Sequence, residues 1–355
     1  MNRYIQVAIV LVIGVVIQLG VQAAGANYYL TQLTMASYYI LVVTGLTMLM
    51  GYAGQISLGH AGFFAMGGYI SAVMTTYNLM EYKSAGIVKI FSSIGLMVER
   101  QGLYGETILH FHPWVACITA VAFTVLVAYL LGGPVLKLRG HYLAMATLGF
   151  GVIVHRVVIG SAIFGEADGI HDVPGFELLP GLIVSGKAAV RTQNFYIAWV
   201  MAALGMLLML NLVKSRVGRA LRSIHGAEDA ANSMGVDTAK YKLKIFVVSA
   251  AFAAVAGVFL THFNGGIGPS EASIIKSVRY VAIVAVGGMA NLWGAFIMGM
   301  VLNYLSLRGN FGSYDDAVFG GILIVIMLFA PNGLLRKYNL AFIKSFFSRK
   351  TEEGA

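Results

Sequence analysis

Three polar side chains lie in a glycine-rich stretch between two long apolar runs. Residues 51–69 read GYAGQISLGHAGFFAMGGY and contain Gln55, Ser57 and His60 with six glycines. These side chains donate and accept hydrogen bonds, and non-helical backbone at membrane depth survives only when buried in protein or lining a wet cavity. The stretch therefore predicts a helix break with candidate contacts to a polar solute.

The same residues have a purely structural explanation. Glycines let helix backbones approach closely in a membrane, and Gln55 and Ser57 would then only cap helix ends. We carry both explanations forward for the helix-break glycines Gly54, Gly59 and Gly62.

A weaker copy of this pattern occurs at residues 287–294, which read GGMANLWG. Asn291 is the path candidate there, and the break glycines are Gly287, Gly288 and Gly294. Equivalent breaks beside one pathway are typical of transporters built from internal repeats. The pattern predicts a parallel internal repeat in this chain.

Two residues of the fifth apolar run are further path candidates. Arg156 is the one charged residue well inside a span, and charges there are costly and often functional. It is predicted either to meet a carboxylate, of the substrate or of Glu166 or Asp168, or to extend toward the membrane surface. Thr147 lies deeper in the same run.

Other chemistries have no pattern in this sequence. The eight histidines show no metal-ligand spacing, and no Ser/His/Asp set shares a helix face. The single cysteine, Cys117, lies in an apolar run. The phosphate-binding pattern G-x-x-x-x-G-K-[ST] is absent, so we expect no catalytic residue, metal or cofactor in this chain and place any ATP and Mg²⁺ in partner subunits.

The elements that position these residues are predicted to be membrane helices. Of the 355 residues, 58% are hydrophobic and 11% charged, and apolar runs of about 20 residues recur, the length needed to cross about 30 Å of hydrocarbon. We predict an all-α polytopic membrane protein with ten spans, near 5–25, 29–50, 57–78, 114–134, 141–160, 194–213, 244–262, 274–288, 292–306 and 315–331.

The basic residues predict the orientation of these spans. With the N-terminus inside, the inward segments hold 15 of the 24 Lys and Arg residues, which agrees with the positive-inside rule and with two cytoplasmic termini. The net charge of +9 is therefore explained by topology and contact with membrane lipid rather than by nucleic acid.

The chain is predicted to form one membrane domain, residues 1–338, followed by a basic cytoplasmic tail, residues 339–355. An insertion at 79–113 and a loop at 161–193 would face outward. The insertion contains a predicted amphipathic helix over residues 85–100.

The main cytoplasmic loop, residues 214–243, contains the segment DAANSMG at 229–235. A short helix over 227–234 is predicted because Glu228 and Asp229 suit its positive N-terminal end and Gly235 suits the left-handed position after it. A helix this short needs other parts of a protein to pack on it.

This segment resembles the coupling motif of ABC importer permeases, and Asp229, Ala230, Ala231 and Gly235 match it, with aspartate where glutamate is usual. Residues 51–69, RGHYLAMATLGFG at 139–151, AIVAVGGMANLWGAFIMG at 282–299 and LFAPNGLL at 328–335 resemble, in the same order, the signatures of LivM-type branched-chain amino-acid permeases. The similarity runs from about residue 29 to 338.

The resemblance implies a subunit of a bacterial inner-membrane importer for leucine, isoleucine, valine or related amino acids. Its implied partners are a homologous LivH-type permease, two cytoplasmic ATPases that dock on the 227–235 helix, and a periplasmic amino-acid-binding protein. Phe164, Glu166 and Asp172 depart from the family pattern. The alternatives are a permease of the same family for urea, amides or another small solute, and a stand-alone secondary transporter or channel.

Overall fold

The structure is a computed structural model that describes residues 3–83, 86–102, 105–138, 140–308 and 314–329. The predicted tail, residues 339–355, and the motif from Ala330 onward lie outside these ranges. The helices are α1 Arg3–Ala23, α2 Tyr29–Thr47 with a π-helical continuation Met48–Tyr52, α3 His60–Thr76, α4 Gly86–Ser93, α5 Pro113–Val135, α6 His141–Ile159, α7 Arg191–Lys214, α8 Arg216–Gly226, α9 Glu228–Ser233, α10 Thr238–Asn264, α11 Ile274–Gly287, α12 Leu292–Leu307 and α13 Asp315–Phe329.

Helices occupy all ten places where the sequence predicts spans. Six of these helices are long and apolar enough to cross a membrane, namely Tyr4–Ala23, Tyr29–Tyr52, Pro113–Val135, His141–Ile159, Ala188–Lys214 and Thr238–Asn264. The structure is thus that of a polytopic membrane protein. Whether the remaining four helices also cross, and which side each terminus faces, stays a prediction.

Those four helices are short: α3 has 17 residues, α11 14, α12 16 and α13 15. At 1.5 Å per residue, α11 rises only about 21 Å, less than the roughly 30 Å of hydrocarbon. For these helices to cross the membrane, non-helical backbone next to them has to lie at membrane depth, where protein must surround it.

Helix α2 lies at the centre of the bundle, and 94% of its most hydrophobic 18-residue segment is buried. It packs against α7, α10, α11 and α12, and α10 in turn packs against α3 and α5. The buried hydroxyls of α2 donate to backbone carbonyls one turn back, at 2.7–2.8 Å, in Thr34, Ser37, Thr44 and Thr47. These four serine and threonine hydroxyls are thus satisfied within the helix itself, whereas the Tyr39 hydroxyl bonds outside it, to Glu271.

Close backbone contact joins α3 to α10. A Cβ atom on Gly67 would lie 2.6 Å from the Cα of Ala254, and one on Gly257 would meet the carbonyl oxygen of Phe64. Only glycine permits this approach, as in other small-residue helix interfaces in membranes. Helices α3 and α10 are therefore closely packed along this contact.

The predicted helix over residues 85–100 is wrong in its second half. Helix α4 covers Gly86–Ser93, the chain turns at Gly95 with φ of +77°, and Met97–Gln101 then form strand β1, paired antiparallel with β2, Thr107–Phe111. The apolar residues at helical spacing beyond Gly95 cannot continue the helix, because a left-handed residue ends it and the facing strand offers a hydrogen-bonding partner.

The loop at 161–193 also contains strands that the all-α prediction leaves out. Strand β3, Ile170–His171, pairs with β6, Gly266–Ile267, and β4, Phe176–Leu179, pairs with β5, Leu182–Val184. Arg100 from β1 donates to the carbonyl and carboxylate oxygens of Asp172, both at 2.8 Å. The insertion and this loop therefore form one connected layer at one end of the bundle.

The α3–α10 contact gives a testable prediction. Gly67→Ala should lower the free energy of unfolding by about 1–3 kcal/mol, because the new methyl group overlaps the α10 backbone. A lower melting temperature of the detergent-solubilised protein would show this. Gly149→Ala is the matched control, since no atom lies within 4 Å of a Cβ at Gly149 in α6; equal melting temperatures for both variants would contradict the packing described here.

Candidate substrate path and coupling loop

The predicted break between the second and third spans is present at residues 54–59. The π-helical turn ends α2, Gly54 has φ of +68°, and α3 begins at His60. Gln55 donates its backbone N–H to the carbonyl of Leu49 at 3.1 Å. Its side chain is 3% exposed, and neither atom of its amide has a hydrogen-bond partner among the described residues.

His60 and Ser57 are linked to each other and to α10. Both side chains are buried. The Nδ1 atom of His60 lies 3.1 Å from the Ser57 hydroxyl, and its Nε2 atom lies 2.6 Å from the hydroxyl of Ser249 in α10. Because both ring nitrogens are used, this imidazole ties α3 to α10 at the break.

Thr147 reaches the same break from α6. Its hydroxyl accepts a hydrogen bond from the N–H of Leu58 at 3.0 Å, and a Cβ on Gly59 would lie 2.6 Å from its carbonyl oxygen. Gly62 contacts Phe150 of the same helix. An apolar groove of about 220 Å³ lies beside Thr147, between α5 and α6. The structure thus gathers Gln55, Ser57, His60 and Thr147 in one place.

The second predicted break is present between α11 and α12. Gly288 has φ of +99°, and the Asn291 side chain caps α12 by accepting from the N–H of Gly294 at 3.1 Å. A Cβ on Gly294 would overlap the carbonyl oxygen of Gly287. These glycines allow a tight turn between the two helices, and Asn291 holds the start of the second one.

The two breaks lie against each other. A Cβ on Gly51, in the π-helical turn, would lie 2.6 Å from the backbone nitrogen of Ala290. On the same side, a Cβ on Gly54 would lie 2.8 Å from Nδ1 of His225, which belongs to α8. We call this end of the bundle, where the two breaks meet each other and the first break meets α8, the break end.

Arg156 lies away from the break cluster. It is nine residues beyond Thr147 along α6, about 13 Å by helical rise, and its side chain is exposed. Among the described residues no ion pair joins it to Glu166 or Asp168. The structure therefore does not bring Arg156 together with the other path candidates.

Two further histidines each connect separate elements of the chain. His262 contacts the Ser71 hydroxyl at 2.8 Å and the carbonyl of Pro174 at 2.7 Å, and His155 contacts the carbonyl of Pro269 at 3.1 Å. Within the described ranges, no three His, Cys, Asp or Glu residues are grouped to hold a metal ion.

The predicted helix of the loop is α9, Glu228–Ser233, and its end has the predicted geometry. Gly235 follows it with φ of +82°. The N–H of Gly235 donates to the carbonyl of Asn232 at 2.9 Å, and the N–H of Val236 donates to that of Ala231 at 3.0 Å. This pair of bonds is a Schellman motif, which fixes where the helix stops.

Helix α9 is attached to the start of α10 by side chains. Glu228 forms an ion pair with Lys242 at 2.5 Å, with the Lys242 side chain only 7% exposed. Thr238 donates to the side-chain oxygen of Asn232 at 3.0 Å. A displacement of α9 must therefore move the beginning of α10, which the Asp237 carboxylate caps.

The Asp237 carboxylate also contacts the ammonium group of Lys240 at 2.7 Å. Hydrogen bonds from the Lys240 side chain and backbone hold the pKa of Asp237 below its usual value. The cap therefore stays charged at neutral pH, as an acceptor for the first turn of α10 requires.

The other face of α9 is open. Ala231 is buried, whereas Asp229, Ala230 and Gly235 are exposed, and Met234 is 84% exposed. A capped short helix that shows a carboxylate and a large apolar side chain has the features of a docking surface.

Sequence reasoning missed a polar cluster between α2, α11 and the turn before α11. Glu271 lies in the 3₁₀ turn Pro269–Ala272, and its Oε1 atom accepts from the Tyr39 hydroxyl at 3.0 Å and from the Lys276 ammonium at 3.1 Å. Lys276 also donates to the Tyr39 hydroxyl at 3.0 Å. In the sequence Glu271 falls at a span end, and nothing there signals its contact with Tyr39.

Comparison with known proteins gives a family match. Residues 28–327 match the family described as "Branched-chain amino acid transport system / permease component". The chain is 30% identical over 324 residues to the high-affinity branched-chain amino acid transport system permease protein LivM of Escherichia coli K12, covering 85% of this chain and 68% of that protein.

Two further relatives are also permeases by name. The chain is 27% identical to LivH of Escherichia coli K12, covering 87% of this chain and 96% of that protein. It is 26% identical to BraD of Pseudomonas aeruginosa, with the same coverage. No solved structure matches.

The Glu228–Lys242 pair gives a second testable prediction. Lys242→Met should raise amide hydrogen exchange in residues 228–236 about tenfold, because it leaves a partly buried carboxylate without its partner. Lys240→Met is the control, since Lys240 is 76% exposed in its pair with Asp237 and exposed pairs contribute little. Equal exchange in the two variants would show that the Glu228–Lys242 pair does not hold α9.

Proposed function

Since the chain belongs to the family of branched-chain amino-acid transport permeases, we propose that it imports leucine, isoleucine, valine or related amino acids as the membrane subunit of an ATP-driven transporter. The match over residues 28–327 carries this proposal, and the chain's membrane helices agree with it. Most of the specificity would reside in a binding protein outside the membrane.

The complex we propose contains a homologous permease, two cytoplasmic ATPases and a periplasmic binding protein. Similarity to both LivM and LivH supports a pairing of two related permeases. In this complex the chain crosses a bacterial inner membrane ten times with both termini in the cytoplasm, and the break end faces the ATPases. The positive-inside distribution of Lys and Arg supports that orientation.

Coupling would start at the exposed face of α9. An ATPase surface contacts Asp229, Ala230 and Met234, and closure of the ATPases upon ATP binding displaces α9. The Glu228–Lys242 pair passes this displacement to α10. The 2.6 Å contact between Ser249 and His60 then passes it to α3, which starts at the helix break.

A second route runs through α8. His225 abuts Gly54 within the first break, and the second break abuts Gly51. A shift of α8 therefore acts directly on the first non-helical segment and, through the π-helical turn that contains Gly51, on the second. Such segments change conformation at lower cost than packed helices, because few hydrogen bonds must be exchanged.

The proposed path passes the break cluster. Gln55 offers an amide without a partner among the described residues, and the groove beside Thr147 is lined by Phe63, Phe150 and Phe246. An apolar wall accepts aliphatic side chains, and a few polar groups orient the substrate. Asn291 would serve the path by holding α12 in place.

Loss of coupling is the sharpest test of this proposal. In proteoliposomes containing the full transporter and its binding protein, Asp229→Lys should reduce ATP-dependent leucine uptake about tenfold, because it reverses the charge on the exposed face of α9 and places a cation at the positive N-terminal end of this helix. Membrane insertion should be unchanged. Glu81→Lys, which reverses an exposed charge in the insertion, is the matched control.

Gly235→Pro provides an independent variant. Proline cannot adopt a φ of +82° and cannot donate the N–H that bonds to Asn232. Uptake should be lost with the subunits still assembled. Full uptake in both Asp229→Lys and Gly235→Pro would refute coupling through α9, and uptake by the chain without ATPases would refute the proposed function.

A further inference from the structure

The cluster of Tyr39, Glu271 and Lys276 lies where the chain turns back into the bundle. Helix α10 has 27 residues, about 40 Å, whereas α11 has 14 residues, about 21 Å, and ends at the second break. The segment 265–273 must therefore descend from the far end of α10 before α11 begins. Its contacts with α3 and α6 show that it descends inside the bundle.

The three side chains form a closed triangle of hydrogen bonds. Each of the three contacts measures 3.0–3.1 Å, and the Lys276 ammonium also lies 4.6 Å from the centre of the Tyr39 ring. The two contacts made by the Glu271 carboxylate both use one of its oxygens, Oε1. The other oxygen, Oε2, is buried and has no hydrogen-bond partner among the described residues.

Two nearby tyrosine hydroxyls are also buried without a hydrogen-bond partner among the described residues. Tyr280 and Tyr69 are each 1% exposed, and neither hydroxyl has a partner within the described part of the chain. The ring of Tyr280 lies 6.1 Å from that of Tyr39, and Tyr69 shares a small core with Ala272, next to Glu271. Unsatisfied buried polar groups are rare in folded proteins and call for a specific explanation.

A ligand with both charges would satisfy this arrangement. A carboxylate oxygen accepts hydrogen bonds from an ammonium group, and an ammonium group beside tyrosine hydroxyls donates to a carboxylate. The side chains of Glu271 and Lys276 are 17% and 20% exposed, so part of each reaches the surface of the chain, and a turn of the Glu271 carboxylate would bring the buried Oε2 to it. Next to them in sequence, Ile274 and Ile275 are exposed apolar residues suited to an aliphatic side chain.

We propose that Glu271 and Lys276 bind the charged groups of an amino-acid substrate. Glu271 accepts from the α-ammonium group through Oε2, and Lys276 together with the Tyr280 hydroxyl donates to the α-carboxylate. This assignment rests on the proposed function for its substrate class. It gives the permease itself a means of selecting zwitterions over amines, acids or uncharged amides.

A role in stability alone makes a different prediction from a role in recognition. If the cluster only holds the turn against α2, its removal would affect all ligands alike. If it binds the substrate, each variant must weaken only the ligands that carry the corresponding charge. Three probes separate these cases: leucine carries both charges, leucinamide only the ammonium, and 4-methylpentanoate only the carboxylate.

The experiment measures binding of each probe to the purified transporter in nanodiscs, without binding protein, by saturation-transfer NMR. Glu271→Gln should weaken leucine and leucinamide about tenfold and leave 4-methylpentanoate unchanged, since it removes one charge-assisted contact. Lys276→Gln should weaken leucine and 4-methylpentanoate about tenfold and leave leucinamide unchanged. Glu99→Gln, which breaks the exposed Lys83–Glu99 pair, is the control and should behave as wild type.

Equal weakening of all three probes, no weakening, or no leucine binding by the wild type would overturn the assignment. ATP-dependent leucine uptake by the wild-type transporter, measured in parallel, tests the proposed function separately. Uptake without the expected probe pattern refutes only the site. The probe pattern without uptake refutes only the proposed function.

Discussion

The structure depends on one constraint: a backbone amide or carbonyl within a bilayer must find its partner inside the protein. Uninterrupted helices meet this constraint alone, and the six long spans do so. The three interruptions, at 54–59, 265–273 and 288–291, depend instead on contacts with other parts of the chain. Glycine is needed at Gly51 because a Cβ there would overlap the backbone of Met289 and Ala290, and at Gly54 because its φ is +68°.

Because of these contacts, a movement of a segment distant in sequence can displace the interruptions. The interruptions at 54–59 and 288–291 meet each other through Gly51, at the end of the bundle that carries α8 and α9. The buried Lys242 joins α9 to α10, and His60 joins α10 to the start of α3. A short helix that is too small to be stable alone is thus connected to the least regular parts of the membrane region through a few specific contacts.

Charge inside the bundle is used sparingly and in pairs. Glu271 and Lys276 lie together because an isolated buried charge is far more costly than a pair with hydrogen bonds. Their remaining capacity for hydrogen bonds distinguishes them from the Lys83–Glu99 pair, which is exposed to solvent on both sides. The break cluster is uncharged, so a substrate would meet its charged partners near the α10–α11 turn and mostly apolar walls near Thr147.

The sequence by itself determined the features that depend on neighbours along the chain. Apolar runs predicted a helix at each of ten places, glycines predicted both breaks, and Glu228 to Gly235 predicted a capped helix, because helix length, breaks and caps are local properties. Only the tertiary structure decided that Met97–Gln101 is a strand, that His60 meets Ser249, and that Glu271 meets Tyr39 across 232 residues. Those contacts depend on how distant segments pack. The residue pattern of one segment does not show which distant segment it contacts.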